Sequence, residues 1–263
     1  MYIDKSSKGV KGGFAVGGFD MAKGTKERYL NIATDAGGII NPAQNRILWY
    51  PLKNAFLTGK ILIQSISDVG ESSFASGYTP KAKGMFSQAM GYMPSAIGDY
   101  STAIGRKAFA EAANSFALGY DSYAKGQGSY ALGTNAQATG NLSFAIGSVG
   151  VDSSSTSTGR TIASGYGALA AGFGSVSSGQ GAFTFGVEDT ASGGFSSAIG
   201  YRSVAIGWGS NAIGYGAHAK GLGSVATGWG TKTDPVAWFA WGAMANNMST
   251  VASNFAATSF GDR

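Results

Sequence analysis

The stretch SYALGTNAQATGNLSFAIG (residues 129–147) holds three glycines, Gly133, Gly140 and Gly147, at intervals of seven, each with an alanine two places before it. The residue just before the glycine alternates: Leu132, Thr139, Ile146. The same clock runs through most of the chain. Glycine stands at 70, 77, 84, 91, 98 and 105, gives way to Ala112, and resumes at 119 and 126; after a gap it runs in sevens from 165 to 228 and returns in phase at Gly242. Apart from Asp68 before Gly70, the position two before is small, alanine at most sites with Ser177 and Thr184 as exceptions, and serine recurs four before, as at Ser73, Ser87, Ser101 and Ser143.

A heptad raises the possibility of a coiled coil, but that structure needs large apolar residues at two positions per repeat, and each glycine costs a helix about 1 kcal/mol. Here the invariant positions carry the smallest side chains, so helix is rejected. The period-two pattern of S-x-A-x-G is a strand signal, and glycine with the two residues after it supplies a corner, because glycine enters positive φ freely. Short strands between tight corners, repeated without helices, predict a β-solenoid.

The residue before glycine sets the number of strands per coil. One set of alternate heptads reads Met90, Ile104, Leu118, Leu132, Ile146; the other reads Lys83, Ile97, Glu111, Lys125, Thr139. The period is therefore fourteen, two strands per coil. Beyond the gap, Phe185, Ile199 and Ile213 alternate with Ser164, Ser178, Ser192 and Lys220, and Ile206 breaks the polar series. The gap around VGVDSSSTSTGR (149–160) behaves as an eleven-residue insertion that restores phase, read as a loop at a corner.

Two five-residue strands enclose a section too thin for leucine, so Ser, Ala and Gly point inward. The aliphatic series then points outward, stacked at about 4.8 Å per coil. An apolar ladder of that length is an unusually large exposed patch for a monomer. Closed symmetry hides it, and a homotrimer is the preferred solution, with Met90, Ile104, Leu118, Leu132, Ile146, Phe185, Ile199, Ile213 and Trp241 as its interface. The polar series and corners leave Lys83, Lys125, Arg202 and Lys220 as candidate ligand-facing residues.

With these residues in place, the chain resembles the head domain of trimeric autotransporter adhesins, the YadA-like left-handed parallel β-roll, whose motif is Asn-Ser-Val-Ala-Ile-Gly. Ser203-Val204-Ala205-Ile206-Gly207 matches five of six positions with Arg202 in place of Asn, Asn114-Ser115-Phe116-Ala117-Leu118-Gly119 matches with apolar swaps, and Ser143-Phe144-Ala145-Ile146-Gly147 is a near copy. The resemblance covers residues 70 to about 245. It implies attachment to matrix or host surfaces by three parallel chains on a stalk and a membrane-anchoring barrel. This sequence shows no heptad stalk and no barrel strands. Similar rolls also look like parts of bacteriophage tail fibres, which keeps a virion-borne receptor-binding or spacer segment as the alternative.

Composition agrees with a repetitive chain. Of 263 residues, 43 are glycine and only 13% are charged, as in repetitive rather than enzyme-like sequences. There is no Gly-X-Y triplet, so collagen is excluded. The formal charge of +5 is uneven: residues 1–69 hold nine Lys/Arg against five Asp/Glu, the remainder ten against nine. Lys5, Lys8, Lys11, Lys23, Lys26 and Arg28 form a loose cluster read as a solvated basic arm, not a nucleic-acid stripe. The absence of cysteine excludes a disulfide framework and cysteine-ligated metals, and fits either a reducing cytoplasm or a surface protein that crosses an envelope unfolded, so it leaves the compartment open. No apolar run approaches a membrane span of ~20 residues, and MYIDKSSKGV lacks the pattern of a secretory signal. The final Phe260-Gly261-Asp262-Arg263 reads as a cut.

The ends depart from the clock. NRILWYPLKNAFLTGKILIQSI (45–66), interrupted by Pro51 and Gly59, reads as two or three ordinary strands, so residues 1–69 are expected to form a small β-rich cap over the first coil or an attachment segment. A separate ligand-binding module is the rival there. The roll is assigned to 70–245, and 246–263 to a terminal coil, with Phe255–Gly261 resembling another repeat. Trp208, Trp229, Trp238 and Trp241 cluster in the last third, as interface packing and capping or as a sugar-stacking platform.

Catalytic signals are missing. His218 is the only histidine, so neither a dyad nor a two-histidine metal site forms within one chain. Glu188-Asp189 is the only adjacent carboxylate pair, explained by solvation on a loop as well as by cation binding. There is no G-x-S-x-G elbow, P-loop lysine or G-x-G-x-x-G fingerprint. No enzyme activity and no cofactor are expected. The function expected is that of a cell-surface adhesin head, outer-membrane anchored through regions outside this chain, binding a matrix protein or surface glycan multivalently. Ice binding wants one residue repeated along a flat ladder, which the polar series does not offer.

Overall fold

In a thin roll, backbone hydrogen bonding between coils, not burial of large side chains, has to hold the chain together, and the strand pairings follow that rule. The computed structural model describes residues 14–20, 25–32, 39–151, 157–234, 239–241 and 251–252. The chain divides into two units, Met1–Tyr120 and Asp121–Arg263, and both are all-β solenoids. The basic residues Lys5, Lys8, Lys11 and Lys23 and the further coil expected at Phe255–Gly261 lie outside the described residues.

In the first unit, β1 (Phe14–Asp20) runs antiparallel to β2 (Thr25–Ile32), β2 parallel to β3 (Ile40–Tyr50), and β3 antiparallel to β4 (Ala55–Ile63). Ile40, Leu48, Tyr50, Leu57, Ile61 and Ile63 are buried, the sizes of an ordinary core. β4 then pairs in parallel with β5 (Phe74–Tyr78), Gly59 opposite Gly77 and Lys60 opposite Tyr78. So β4, within the expected β-rich cap, lies in register with the first long strand of the repeat. After β5 come β6 (Lys81–Ala82) and β7 (Gln88–Tyr92), and the long strands pair with long and short with short: Gln88 faces Thr102, Thr102 faces Phe116, Lys81 faces Ser95 and Ser95 faces Phe109.

The second unit repeats the arrangement. Tyr130 faces Phe144, Phe183 faces Ser197, and Ser197 faces Asn211, each partner fourteen residues on. Across the gap Phe144 faces Leu169, eleven residues beyond that step, and Gln137 faces Ile162. The insertion is partly a strand pair, Gly150–Val151 antiparallel to Ser157–Gly159, seated at the corner after the long strand Phe144–Ser148.

The interior is alanine and serine. Ala89, Ala103, Ala117 and Ala96 in the first unit, and Ala131, Ala145, Ala198 and Ala212 in the second, are fully buried. Ser177 and Thr184, the exceptions to alanine, are buried too, with their hydroxyls 3.0 Å apart.

Only the short-strand glycines open corners as expected, the Ser87 amide donating to the Gly84 carbonyl at 3.2 Å to close a turn. Long-strand glycines such as Gly105 (φ +126) lie within the strand, and a Cβ there falls on the carbonyl oxygen of Gly119; a Cβ on Gly84, of the other series, falls on that of Gly98. Glycine is required because the next coil passes where a side chain would sit. The left-handed corner residue stands two places later and is often not glycine: Met93 (φ 53) and Lys107 (φ 58) after long strands, Phe86 (φ 55) and Tyr100 (φ 57) after short ones. The left-handed conformation costs roughly 1–2 kcal/mol. It is offset by a bond to the preceding coil: the Met93 amide donates to the Tyr78 carbonyl at 2.8 Å, and the Tyr100 amide to that of Met85 at 2.7 Å.

Candidate interaction surfaces

Because alternate residues of a strand point to opposite faces, each long strand with its buried alanine shows three outward positions, which stack into three rails. The middle rail is the one expected from the sequence. In the first unit Ser76, Met90, Ile104 and Leu118 are in register. In the second, Leu132, Ile146, Ala171, Phe185, Ile199, Ile213, Thr227 and Trp241 follow one another. Leu132 and Ile199 lie half-buried on the outside while their neighbours Ala131 and Ala198 are fully enclosed. Ile146 is 42% exposed and Phe185 60%. Alternation alone missed Ala171, which stands between Ile146 and Phe185 and thins the rail there.

A second rail precedes the alanine. It includes Phe74 and Phe116 in the first unit and Tyr130, Phe144, Leu169 and Phe183 in the second. The Tyr130 and Phe144 rings stack at 4.8 Å. Within each unit the two rails make a broad, largely apolar face.

The third rail follows the glycine and was not read from the sequence, though its tyrosines recur every fourteen residues. In the first unit it runs Lys60, Tyr78, Tyr92, Arg106, Tyr120. Tyr78 and Tyr92 stack at 4.9 Å, Lys60 Nζ sits 4.8 Å from the Tyr78 ring, and the Arg106 guanidinium lies 5.8 Å from Tyr92 and 5.1 Å from Tyr120. In the second unit Tyr201 stacks on Tyr215 at 4.8 Å, and Tyr215 meets Trp229 at 5.3 Å.

The four candidate ligand-facing cations do not converge. Lys83 Nζ is 2.7 Å from Asp68 Oδ1. Burial pushes the Asp68 carboxyl upward, but hydrogen bonds from Lys83 and the Gln64 and Ser65 amides, with the Lys83 charge, outweigh it and hold the group below the usual carboxylate range. Arg202 Nε is 2.5 Å from Glu188 Oε2. Both of these cations are therefore neutralised. Lys125 and Lys220 are exposed on separate coils of the second unit, Lys125 Nζ lying 5.8 Å from the Tyr123 ring.

The remaining chemistry-bearing residues sit as follows. His218 is half-buried on a short strand, and burial, then the charges of Lys232 and Lys220, push its pKa down. Asp189 overturns the reading of a solvated pair. It is fully buried, Oδ2 accepting the Gly200 amide and Oδ1 the Ser203 amide, each at 2.8 Å. It occupies the inward position that Ser175 and Ser203 fill in adjacent coils, and burial outweighs the two amides to raise its pKa to about 6. Trp208 stands edge-on to Phe195 at the corner after a short strand, and Trp229 against Tyr215 after a long one. Trp238 lies outside the described residues. Among the described residues no group of three or more His, Cys, Asp or Glu is placed to hold a metal ion, and no helix is long and apolar enough to cross a membrane.

No curated protein matches the chain. The family model described as the YadA head domain repeat matches residues 96–122, 124–148, 186–210 and 212–231. Those stretches contain the buried alanines Ala103, Ala117, Ala131, Ala145, Ala198 and Ala212 and the outward residues Ile104, Leu118, Leu132, Ile146, Ile199 and Ile213. These four stretches match the YadA head domain repeat, and the fold is a parallel β-solenoid consistent with a left-handed β-roll.

Proposed function

We propose that the chain is the head of a cell-surface adhesin, a homotrimer in which the apolar long-strand faces of three copies meet, anchored in the outer membrane through regions outside this sequence. Its coils are left-handed, two strands in fourteen residues, and β3 and β4 cover the open end of the roll with their larger side chains. The observation that carries this reading is the apolar face itself. Each coil contributes one outward residue to the middle rail, aliphatic or aromatic in most coils, beside a second rail rich in aromatic side chains. A strip of that kind is larger than a soluble monomer ordinarily exposes, and rotational symmetry buries it without leaving an open end.

The outward short strands, the corners and the polar third rail at the end of the long strands then remain for a matrix protein or host glycan, held by many weak contacts. No catalytic role is assigned; the adhesin-like role is the one that the YadA head repeat supports. Sedimentation of the purified chain at micromolar concentration tests the assembly, with a trimer expected and a stable monomer overturning it. Adhesion of that trimer to panels of matrix proteins and glycans, against a variant with its exposed polar residues scrambled, tests the attachment.

A further inference from the structure

The third rail of the first unit is a built column of charge and hydroxyls. Lys60 covers one face of Tyr78 and Tyr92 covers the other; Arg106 lies between Tyr92 and Tyr120. The ring faces inside the column are thus already occupied. A pyranose or nucleobase that needs a free aromatic face finds none between these residues. What the column turns outward is ring edges, phenol hydroxyls and cationic N–H groups, with Lys107 exposed at the adjoining corner. Among the described residues no carboxylate lies within ion-pair distance of Lys60, Arg106 or Lys107, whereas Lys83 and Arg202 have one.

We propose that this column is the binding strip for a sulfated polysaccharide lying along the roll axis. The proposal rests on the attachment reading above and names its ligand class. Sulfate is an acceptor without a donor, so it takes hydrogen bonds from lysine, arginine and tyrosine alike. Rungs spaced by about 4.8 Å put Lys60 and Arg106 roughly 14 Å apart, which suits a linear chain with charges along its length and not a compact anion. Nucleic acid supplies the charge but loses the base stacking that single-strand sites rely on. Each contact is exposed and weak, so affinity comes from several rungs and falls with salt.

The test uses the full chain and immobilised heparin, the same polysaccharide after desulfation, single-stranded poly-dT and polyglutamate. Binding to heparin that is lost on desulfation is expected, with K60S/R106S/K107S weakening it about tenfold or more and K83S/R202S leaving it unchanged. If the triple variant fails the circular-dichroism check for folding, R106Q alone, which keeps the stem against Tyr92 and Tyr120, is expected to weaken binding about threefold. A folded triple variant that binds like the parent overturns the proposal, as does equal binding of poly-dT or polyglutamate. Absence of heparin binding by a trimer that still adheres to matrix proteins overturns the strip and leaves the attachment reading standing; adhesion to nothing overturns both.

Discussion

Ser177 and Thr184, which break the alanine rule on facing strands of one coil, meet inside the roll with their hydroxyl oxygens 3.0 Å apart, and Ser177 also donates to the Leu169 carbonyl at 2.7 Å. Each departure from alanine is satisfied by the other. A buried hydroxyl stripped of its partner costs about 1–3 kcal/mol, while removing both is close to neutral. Ser177→Ala is therefore expected to destabilise, Thr184→Ala to do so less because Ser177 keeps Leu169, and the double variant to recover. A coupling of about 1 kcal/mol in a urea-denaturation cycle is the expected result; strictly additive losses would show that the two hydroxyls do not act as a pair.

Asp189 makes stability depend on pH in an unusual direction. Its folded pKa of about 6 lies above its ordinary value of 3.8, so the folded state holds the proton more tightly. The stabilisation is fully present below the unfolded value and is lost as pH rises through about 6. Measured against Asp189→Asn, the parent should gain roughly 2–3 kcal/mol between pH 7.5 and pH 4. Using the difference between the two proteins removes carboxylates such as Asp68, whose lowered pKa acts in the opposite sense. Parallel stability curves for the two proteins would refute the assignment.

Glycines of the two kinds should respond differently to alanine. At Gly105 the added Cβ meets the Gly119 backbone, which cannot move without shifting a whole coil, while at Gly167 (φ +63) it meets open space. Gly167→Ala should cost only the left-handed penalty of about 1–2 kcal/mol. Gly105→Ala should cost about 3 kcal/mol or more, the range of severe overpacking, or prevent folding. Thermal unfolding followed by far-ultraviolet circular dichroism separates the two.

Ile146→Asp should weaken assembly, placing a charge on the apolar rail, whereas Lys125→Asp on the opposite sheet should leave it intact. Sedimentation velocity across a concentration series reads both. Equal effects would mean that the assembling face has been misidentified.

The parts of the fold that repeat were legible in the chain. Alanine and serine at fixed phase mark the interior, and the alternation of Leu132, Thr139 and Ile146 separates long strands from short. The corners fall where the sequence put them, but their left-handed residues were not legible, because Met93, Lys107, Phe86 and Tyr100 carry no turn signature; a bond to the coil before, invisible along the chain, holds them there. The Glu188–Arg202 pair was readable, since fourteen residues separate the partners. Lys83 with Asp68 was not, because it joins the repeat to the irregular segment before it. Asp189 looked solvated beside Glu188, although its phase, fourteen from Ser175 and Ser203, already pointed inward.

The strand pair at Gly150–Val151 and Ser157–Gly159 interrupts the chain between two coils, yet Phe144 still meets Leu169 and Ala145 still meets Ala170. A corner of this roll is thus a place where new sequence enters without altering the scaffold on either side. Descendants of such a gene are free to acquire decorations one bend at a time, and an engineer can splice foreign peptides at the same bend for display.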